Sequence, residues 1–275
     1  MKKKITIVIS SIFVFVLLGV GHIYFRQEEM LFQKALLPDD YTFSFEEPFE
    51  ELFLETEKGA QINALYFTAE NPKGAVIYFH GRGGNLADNW GRVSKEFTSR
   101  GYDLFIMDYR GFGKSRGKLS EKAICHDADY CYNYISSRYP ENQIVVYGRS
   151  LGTGIATYVA SHHDPKNLIL EAPYFSILDL TPRQLPYLPR FLIPLLLKYH
   201  FRTDQWIVRV DSPIHIFHGT EDELVPFDSS TRLLKLIKEK RNASLIRIEH
   251  GKHNHLRFHP TYQKVLDQIL EHDPS

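Results

Sequence analysis

The sequence predicts an α/β fold: a mostly parallel central sheet with helices on both faces and a small helical cap. Three observations lead there. Short β-rich runs recur through the chain, the later ones alternate with stretches of helical character, and no internal repeat or low-complexity tract interrupts them. Parallel strands need a crossover between them, and helices serving as crossovers cover both faces of the sheet.

Taken in order, Lys2, Lys3 and Lys4 precede Ile5 to Phe25, a run without Asp, Glu, Lys or Arg. As a helix it would be about 30 Å long, close to the thickness of a bilayer's hydrocarbon core. Residues 1–25 therefore read as an uncleaved transmembrane signal anchor. The alternative is a cleaved signal peptide, whose apolar region is shorter and ends at small residues, whereas this run exits through His22-Ile23-Tyr24-Phe25-Arg26. The lysines favour a cytoplasmic amino terminus, with the remaining domain on the non-cytoplasmic side. Residues 26–50 read as a charged connector and residues 51–275 as the main domain.

Within that domain, strands are expected at Glu51–Thr56 and Ile62–Phe67 as a hairpin-like pair. Further strands follow at Ala75–His80, Asp103–Asp108, Gln143–Gly148, Leu168–Glu171, Ile214–His218 and Ser244–Glu249. Helices are expected at Asp88–Arg100, Glu121–Tyr139, Leu151–Ser161, Ser229–Lys240 and Pro260–Glu271. Between Glu171 and Ile214 the alternation breaks. Pro173, Pro182, Pro186, Pro189 and Pro194 forbid one long helix, so about 174–210 reads as an inserted cap of short helices. Its Leu185, Tyr187, Leu188, Phe191, Leu192, Leu195 and Leu196 either pack on the domain or present an apolar surface to acyl chains or lipid.

Composition narrows the function classes. The 275 residues carry 33 basic and 33 acidic side chains, a formal balance of zero. Nucleic acid is therefore not an expected partner, because its binding depends on a positive surface. Cys125 and Cys131 are the two cysteines, and their spacing puts them on largely different faces of a helix, so no disulfide is expected between them. A metal site is not expected either. His250, His253, His255 and His259 are dense but lack a ligand pattern such as His-Glu-x-x-His.

The chemistry-bearing motif is Gly148-Arg149-Ser150-Leu151-Gly152 after the β-branched run at Val145. Gly-x-Ser-x-Gly at a strand end marks a sharp turn that presents a nucleophilic hydroxyl. A serine needs a base within hydrogen-bond reach and a third group to orient that base. Asp222, following the run Ile214–His218, is the favoured acid, ahead of its neighbour Glu221 and of Asp228; Glu171 is a further alternative. The base lies among His250, His253, His255 and His259, and spacing does not choose between them. His80-Gly81-Arg82-Gly83-Gly84 resembles a loop that turns a backbone N–H toward a substrate oxygen, here that of Arg82, with the Leu151 N–H as its partner in an oxyanion hole. His80 and His218 read as loop braces, and Asp108 with Arg110 as a loop-fixing pair.

Six blocks, YFHGRGGN, DYRGFGKSRG, YGRSLGTG, EAPYFSILDL, HGTEDELVP and HGKHN, occur in one order from about Ala75 to Asn254. Together they resemble the BEM46-like, ABHD-like group of serine α/β-hydrolases. The resemblance implies Ser150 as nucleophile, Asp222 as acid and His253 as base, with Arg82 and Leu151 supplying oxyanion-hole amides. It implies hydrolysis of acyl esters or thioesters without a cofactor, the substrate being a small molecule or a lipid. Arg82 stands where the group often has Asn. A guanidinium there either meets an anionic substrate group or lies in solvent.

Overall fold

A computed structural model describes residues 18–238 and 242–271. Its main sheet has eight strands: β2 (Phe49–Glu57), β3 (Ala60–Phe67), β4 (Ala75–Phe79), β6 (Asp103–Met107), β7 (Ile144–Arg149), β8 (Asn167–Glu171), β9 (Ile214–Gly219) and β10 (Ala243–Ile248). Their order is β10-β9-β8-β7-β4-β6-β3-β2. The β2–β3 and β3–β6 pairings are antiparallel and every other pairing is parallel. All eight expected strands are present, opening with the expected hairpin. Two further short strands, β1 (Gln33–Lys34) and β5 (Gly83–Gly84), form a separate parallel pair.

The side-chain alternation of the strands divides the core into two layers. Ile77, Phe105, Val146, Leu170 and Ile216 face helices α3 (Glu121–Ser136), α4 (Leu151–Ala160) and α8 (Asp228–Leu236). Val76, Tyr78, Leu104, Tyr147, Ile169 and Phe217 face α2 (Ser94–Thr98) and α9 (Pro260–Glu271). Strands β4, β6 and β8 are buried at every residue, as a sheet covered on both faces requires. Cys125 and Cys131, both on α3, are buried and free.

Two expectations change, apart from one helix end. The helix expected over Asp88–Arg100 is broken into turns at Leu86–Trp90 and Gly91–Val93, followed by the short α2. Asn85 caps the first turn by accepting from the Ala87 and Asp88 amides, and the Trp90 indole N–H donates to Gly83 O at 2.6 Å. At Gly91 a β-carbon would sit 2.4 Å from the Phe45 ring. These tertiary contacts override helical periodicity. The helix expected to reach Lys240 is α8 up to Leu236, and Glu239 and Lys240 lie outside the described residues.

The amino terminus is described only in part. Most of the expected anchor lies outside the described residues, and its described end forms helical residues 18–31, here α1. That helix continues into Arg26, Gln27, Glu28 and Glu29. Among the described residues no helix is long and apolar enough to cross a membrane. The second change is that parts of residues 26–50 pack on the domain: Gln27, Phe32 and Phe43 are buried, and Phe32 belongs to the main core.

The cap lies between β8 and β9 and contains α5 (Ile177–Gln184), α6 (Ile193–Leu196) and α7 (Thr203–Trp206). Its apolar residues divide between the two readings. Leu188 is buried, whereas Tyr187, Phe191 and Leu195 are largely exposed.

Candidate active site

Ser150 sits between the end of β7 and the start of α4 with φ 50° and ψ −117°, a conformation L-residues rarely adopt. The flanking glycines allow this turn by permitting close approach. A β-carbon at Gly148 would lie 2.5 Å from Gly152 O, and one at Gly152 would lie 2.0 Å from Phe79 O. The motif therefore packs the head of α4 directly against β4 and β7. The Gly81 loop lies alongside, where a β-carbon on Gly81 would be 3.7 Å from that of Ser150. Leu151 is the first residue of α4, whose leading N–H groups have no carbonyl within the helix to receive them.

Strand β9 and strand β10 each deliver one further residue to this turn. Beyond β10, the His253 imidazole meets Ser150 Oγ through Nε2 at 2.9 Å and Asp222 Oδ2 through Nδ1 at 2.7 Å. Since the carboxylate only accepts, Nδ1 carries the proton and Nε2 is free to accept from the serine. Beyond β9, Asp222 is buried, and its Oδ1 accepts from the Leu224 and Val225 amides at 2.9 and 2.8 Å. His218, at the end of β9, braces it: Nε2 lies 2.9 Å from Val225 O and 3.3 Å from Asp222 Oδ2, and Nδ1 2.6 Å from Ser230 Oγ. Burial alone would raise the Asp222 carboxyl. Hydrogen bonds from His218 and His253, with the backbone donors, instead hold it well below the ordinary carboxylate range.

The competing residues face elsewhere. Glu221 is exposed and pairs with exposed His250 at 2.7 Å, and its hydrogen bond raises that imidazole's pKa. His255 adopts a left-handed conformation, φ 73°, and its ring packs near Phe258. Asp228 opens α8. Glu171 is buried and engages Tyr147 at 2.7 Å and Arg149 at 3.1 Å. Among the described residues no group of three or more His, Cys, Asp and Glu is arranged to hold a metal ion.

Asp108 and Arg110 fix loops, but through different partners. Asp108 Oδ2 accepts from the Leu86 amide at 3.2 Å, and burial pushes its carboxyl up. Arg110 makes a two-pronged bond to Asp127, 2.7 Å at each nitrogen, and also reaches Glu57.

Sequence reasoning missed Arg149, the variable position of the serine motif. Its guanidinium lies over the Trp90 ring at 5.1 Å, bonds Glu171, and donates to Asn254 Oδ1 at 3.0 Å, so it ties β8 to the loop that carries His253. Its place directly before Ser150 was the available signal. The reading also missed Leu31, which lies in residues taken as a connector. A narrow crevice of about 60 Å³ at Ser150 and His253 is lined by Leu31, Arg82, Tyr174, Ile177, Leu180 and Leu224, among others. Helix α5 of the cap and the end of α1 thus close over the serine. A larger cavity of about 660 Å³ lies around the base loop, over His250, Lys252 and His259.

Comparison with known proteins is consistent with this architecture. Residues 70–206 match the hydrolase family described as serine aminopeptidase, S33. Lysophosphatidylserine lipase ABHD12 of Danio rerio is 29% identical over 201 residues, which cover 67% of this chain and 52% of the lipase. The Macaca fascicularis lipase of that name is 27% identical, covering 71% and 55%. This chain thus spans about half the length of these curated relatives. Among solved structures, the esterase Pf2001 of Pyrococcus furiosus aligns with a TM-score of 0.70 at 19% identity, covering 88% of this chain and 97% of the esterase. A soluble variant of the monoglyceride lipase of Saccharomyces cerevisiae, bound to a substrate analogue, aligns at 0.62 and 17% identity, covering 85% and 97%. The strand order, the serine turn between β7 and α4 and these similarities agree on the α/β-hydrolase fold, and the chain is similar to lipase- and esterase-like serine hydrolases of the ABHD-like group.

Proposed function

We propose that the chain hydrolyses carboxylic ester or thioester bonds of acyl substrates, with Ser150 as nucleophile, His253 as general base and acid, and Asp222 as the orienting carboxylate. The observation that carries this reading is the continuous hydrogen-bond chain from Ser150 Oγ through both imidazole nitrogens to Asp222. Ser150 Oγ attacks the acyl carbonyl while its proton passes to His253 Nε2, and Asp222 stabilises the imidazolium. The Arg82 and Leu151 amides receive the oxyanion, each donor of this kind contributing about 3 kcal/mol to the transition state. Collapse breaks the bond to the alcohol or thiol, which leaves with the His253 proton. A water, deprotonated by the same imidazole, then releases the carboxylic acid.

A lipid acyl substrate is favoured by the apolar crevice and by the lipase relatives. Arg82 lines that crevice half-buried and has no ion pair among the described residues, which suits an ester carrying an anionic group. Replacing Arg82 with Asn should lower kcat/KM for an anionic ester about tenfold relative to a neutral ester of equal acyl length, a loss appropriate to one charge-assisted contact. Equal effects on both esters would remove Arg82 from substrate recognition. The apolar run Ile5–Phe25 is read as the membrane anchor, with the catalytic domain on the non-cytoplasmic side.

Burst kinetics on a p-nitrophenyl acyl ester test the proposal. One equivalent of p-nitrophenol per chain should appear before steady turnover, and Ser150→Ala should abolish both phases. Turnover that survives the substitution would overturn the nucleophile assignment. A folded wild-type chain that turns over no ester would favour a non-catalytic binding module on the same fold.

A further inference from the structure

The segment 27–37 lies outside the residues that match the family, yet it touches both the cap and the loop that carries Arg82. Gln27, 6% exposed, uses both ends of its amide. Its Nε2 donates to Tyr24 O within α1 and to Leu196 O of the cap at 3.1 Å, while its Oε1 accepts from the Lys198 amide at 2.7 Å. The neighbouring Glu28 accepts from Tyr199 OH at 3.0 Å, and buried Phe32 meets Tyr199 edge to face with ring centres 4.9 Å apart. Buried polar contacts this well satisfied specify one position of α1 against the cap, because breaking either half strands a buried group.

Beyond α1 the chain turns to the other side of the site. The Gln33 amide donates to Arg82 O at 2.8 Å, and Gln33 and Lys34 run parallel to Gly83 and Gly84. Ala35 O receives the Gly113 amide at 2.8 Å and Asn85 Nδ2 at 3.2 Å. The carbonyl next to the proposed Arg82 oxyanion donor is therefore held by this segment. Between the two anchorages Leu31, half-buried against the main core, lines the crevice that contains Ser150 and His253.

We infer that Gln27, Leu31 and Gln33 form part of the substrate site, with Leu31 as a wall of the acyl crevice that sets acyl length, Gln27 fixing the cap over it and Gln33 positioning the oxyanion loop. The inference rests on the proposed acyl-ester hydrolysis. Leu31 and Ile177 and Leu180 of α5 enclose apolar volume at the serine, so a change in the size of Leu31 changes the chain length that fits.

The test uses the full chain in detergent micelles. Wild type, Leu31→Ala and Leu31→Trp are compared for kcat/KM on p-nitrophenyl butyrate and dodecanoate, and the labelling rate of each by a fluorophosphonate probe is measured alongside. Met30→Trp, a neighbouring position that is 45% exposed, is the control. Leu31→Trp should lower the dodecanoate-to-butyrate ratio about tenfold, the loss expected when two methylenes can no longer be buried. Leu31→Ala should raise the ratio, and Met30→Trp should leave it unchanged. Ratios equal to wild type in both Leu31 variants, with labelling intact, would overturn the inference alone. A wild-type chain that does not label would overturn the hydrolase reading and this inference with it. Gln33→Pro, which removes the N–H that Arg82 O accepts, should lower kcat while keeping the wild-type length ratio; unchanged kcat would remove Gln33 from the positioning role.

Discussion

At the scale of single residues, one geometry has to be maintained at Ser150, His253 and Asp222. Asp222 titrates well below the ordinary carboxylate value of 3.8, so it stays ionised at every pH at which the enzyme is expected to work. Because its folded pKa is depressed, its contribution to stability is present above that ordinary value and is lost only as pH falls further. Asp222→Asn keeps the shape but removes the charge and invites the wrong tautomer of His253, and kcat should fall about 10⁴-fold. His253→Ala should abolish turnover and His255→Ala should not; the reverse result would move the base to His255. At the elbow, the positive φ of Ser150 stores strain that glycine avoids. Ser150→Gly should therefore melt above Ser150→Ala, by about 1 kcal/mol in stability. Equal melting would show that the turn is unstrained.

At the scale of elements, the central parallel strands were legible because buried parallel strands are short apolar runs, and β2 with β3 as a hairpin-like pair. The proposed order of Ser150, Asp222 and a histidine base came from seeking each partner of the serine at the end of a later strand. The choice of His253 as the proposed base needed the resemblance, since four histidines share one loop region and spacing does not separate them. The helix over Asp88–Arg100 misled because Asn85, Gly91 and Trp90 answer to tertiary contacts that periodicity does not record. Residues 26–50 read as a connector because their charged residues dominate, while the contacts of Gln27, Glu28, Leu31 and Phe32 and the backbone of Gln33 follow no periodic hydrophobic pattern. Helix α2 carries a testable feature of its own. Burial, together with the charge of nearby Glu171, pushes the Glu96 carboxyl up to about 7. Between its ordinary value of 4.5 and about 7 the folded chain keeps a proton the unfolded chain has lost, so stability falls as pH rises through that window. Glu96→Gln should leave the melting temperature unchanged at pH 4 and raise it by about 2–4 °C at pH 8. Identical pH profiles for the two proteins would contradict this.

At the scale of the whole molecule, the sheet brings three distant strand ends to one edge, and the cap and α1 close over them. That arrangement puts the site next to the segment that follows the apolar run Ile5–Phe25. With a cytoplasmic amino terminus, a tag at the carboxyl terminus should resist protease in sealed vesicles oriented cytoplasmic side out. Digestion of that tag would reverse the proposed topology. The central claim is that the fold activates Ser150 as a nucleophile, and the most direct measurement is fluorophosphonate labelling followed by mapping of the modified peptide. A single adduct on Ser150 is expected, formed in the full chain and lost in Ser150→Ala and His253→Ala. An adduct on another serine, or equal labelling of His253→Ala, would contradict it.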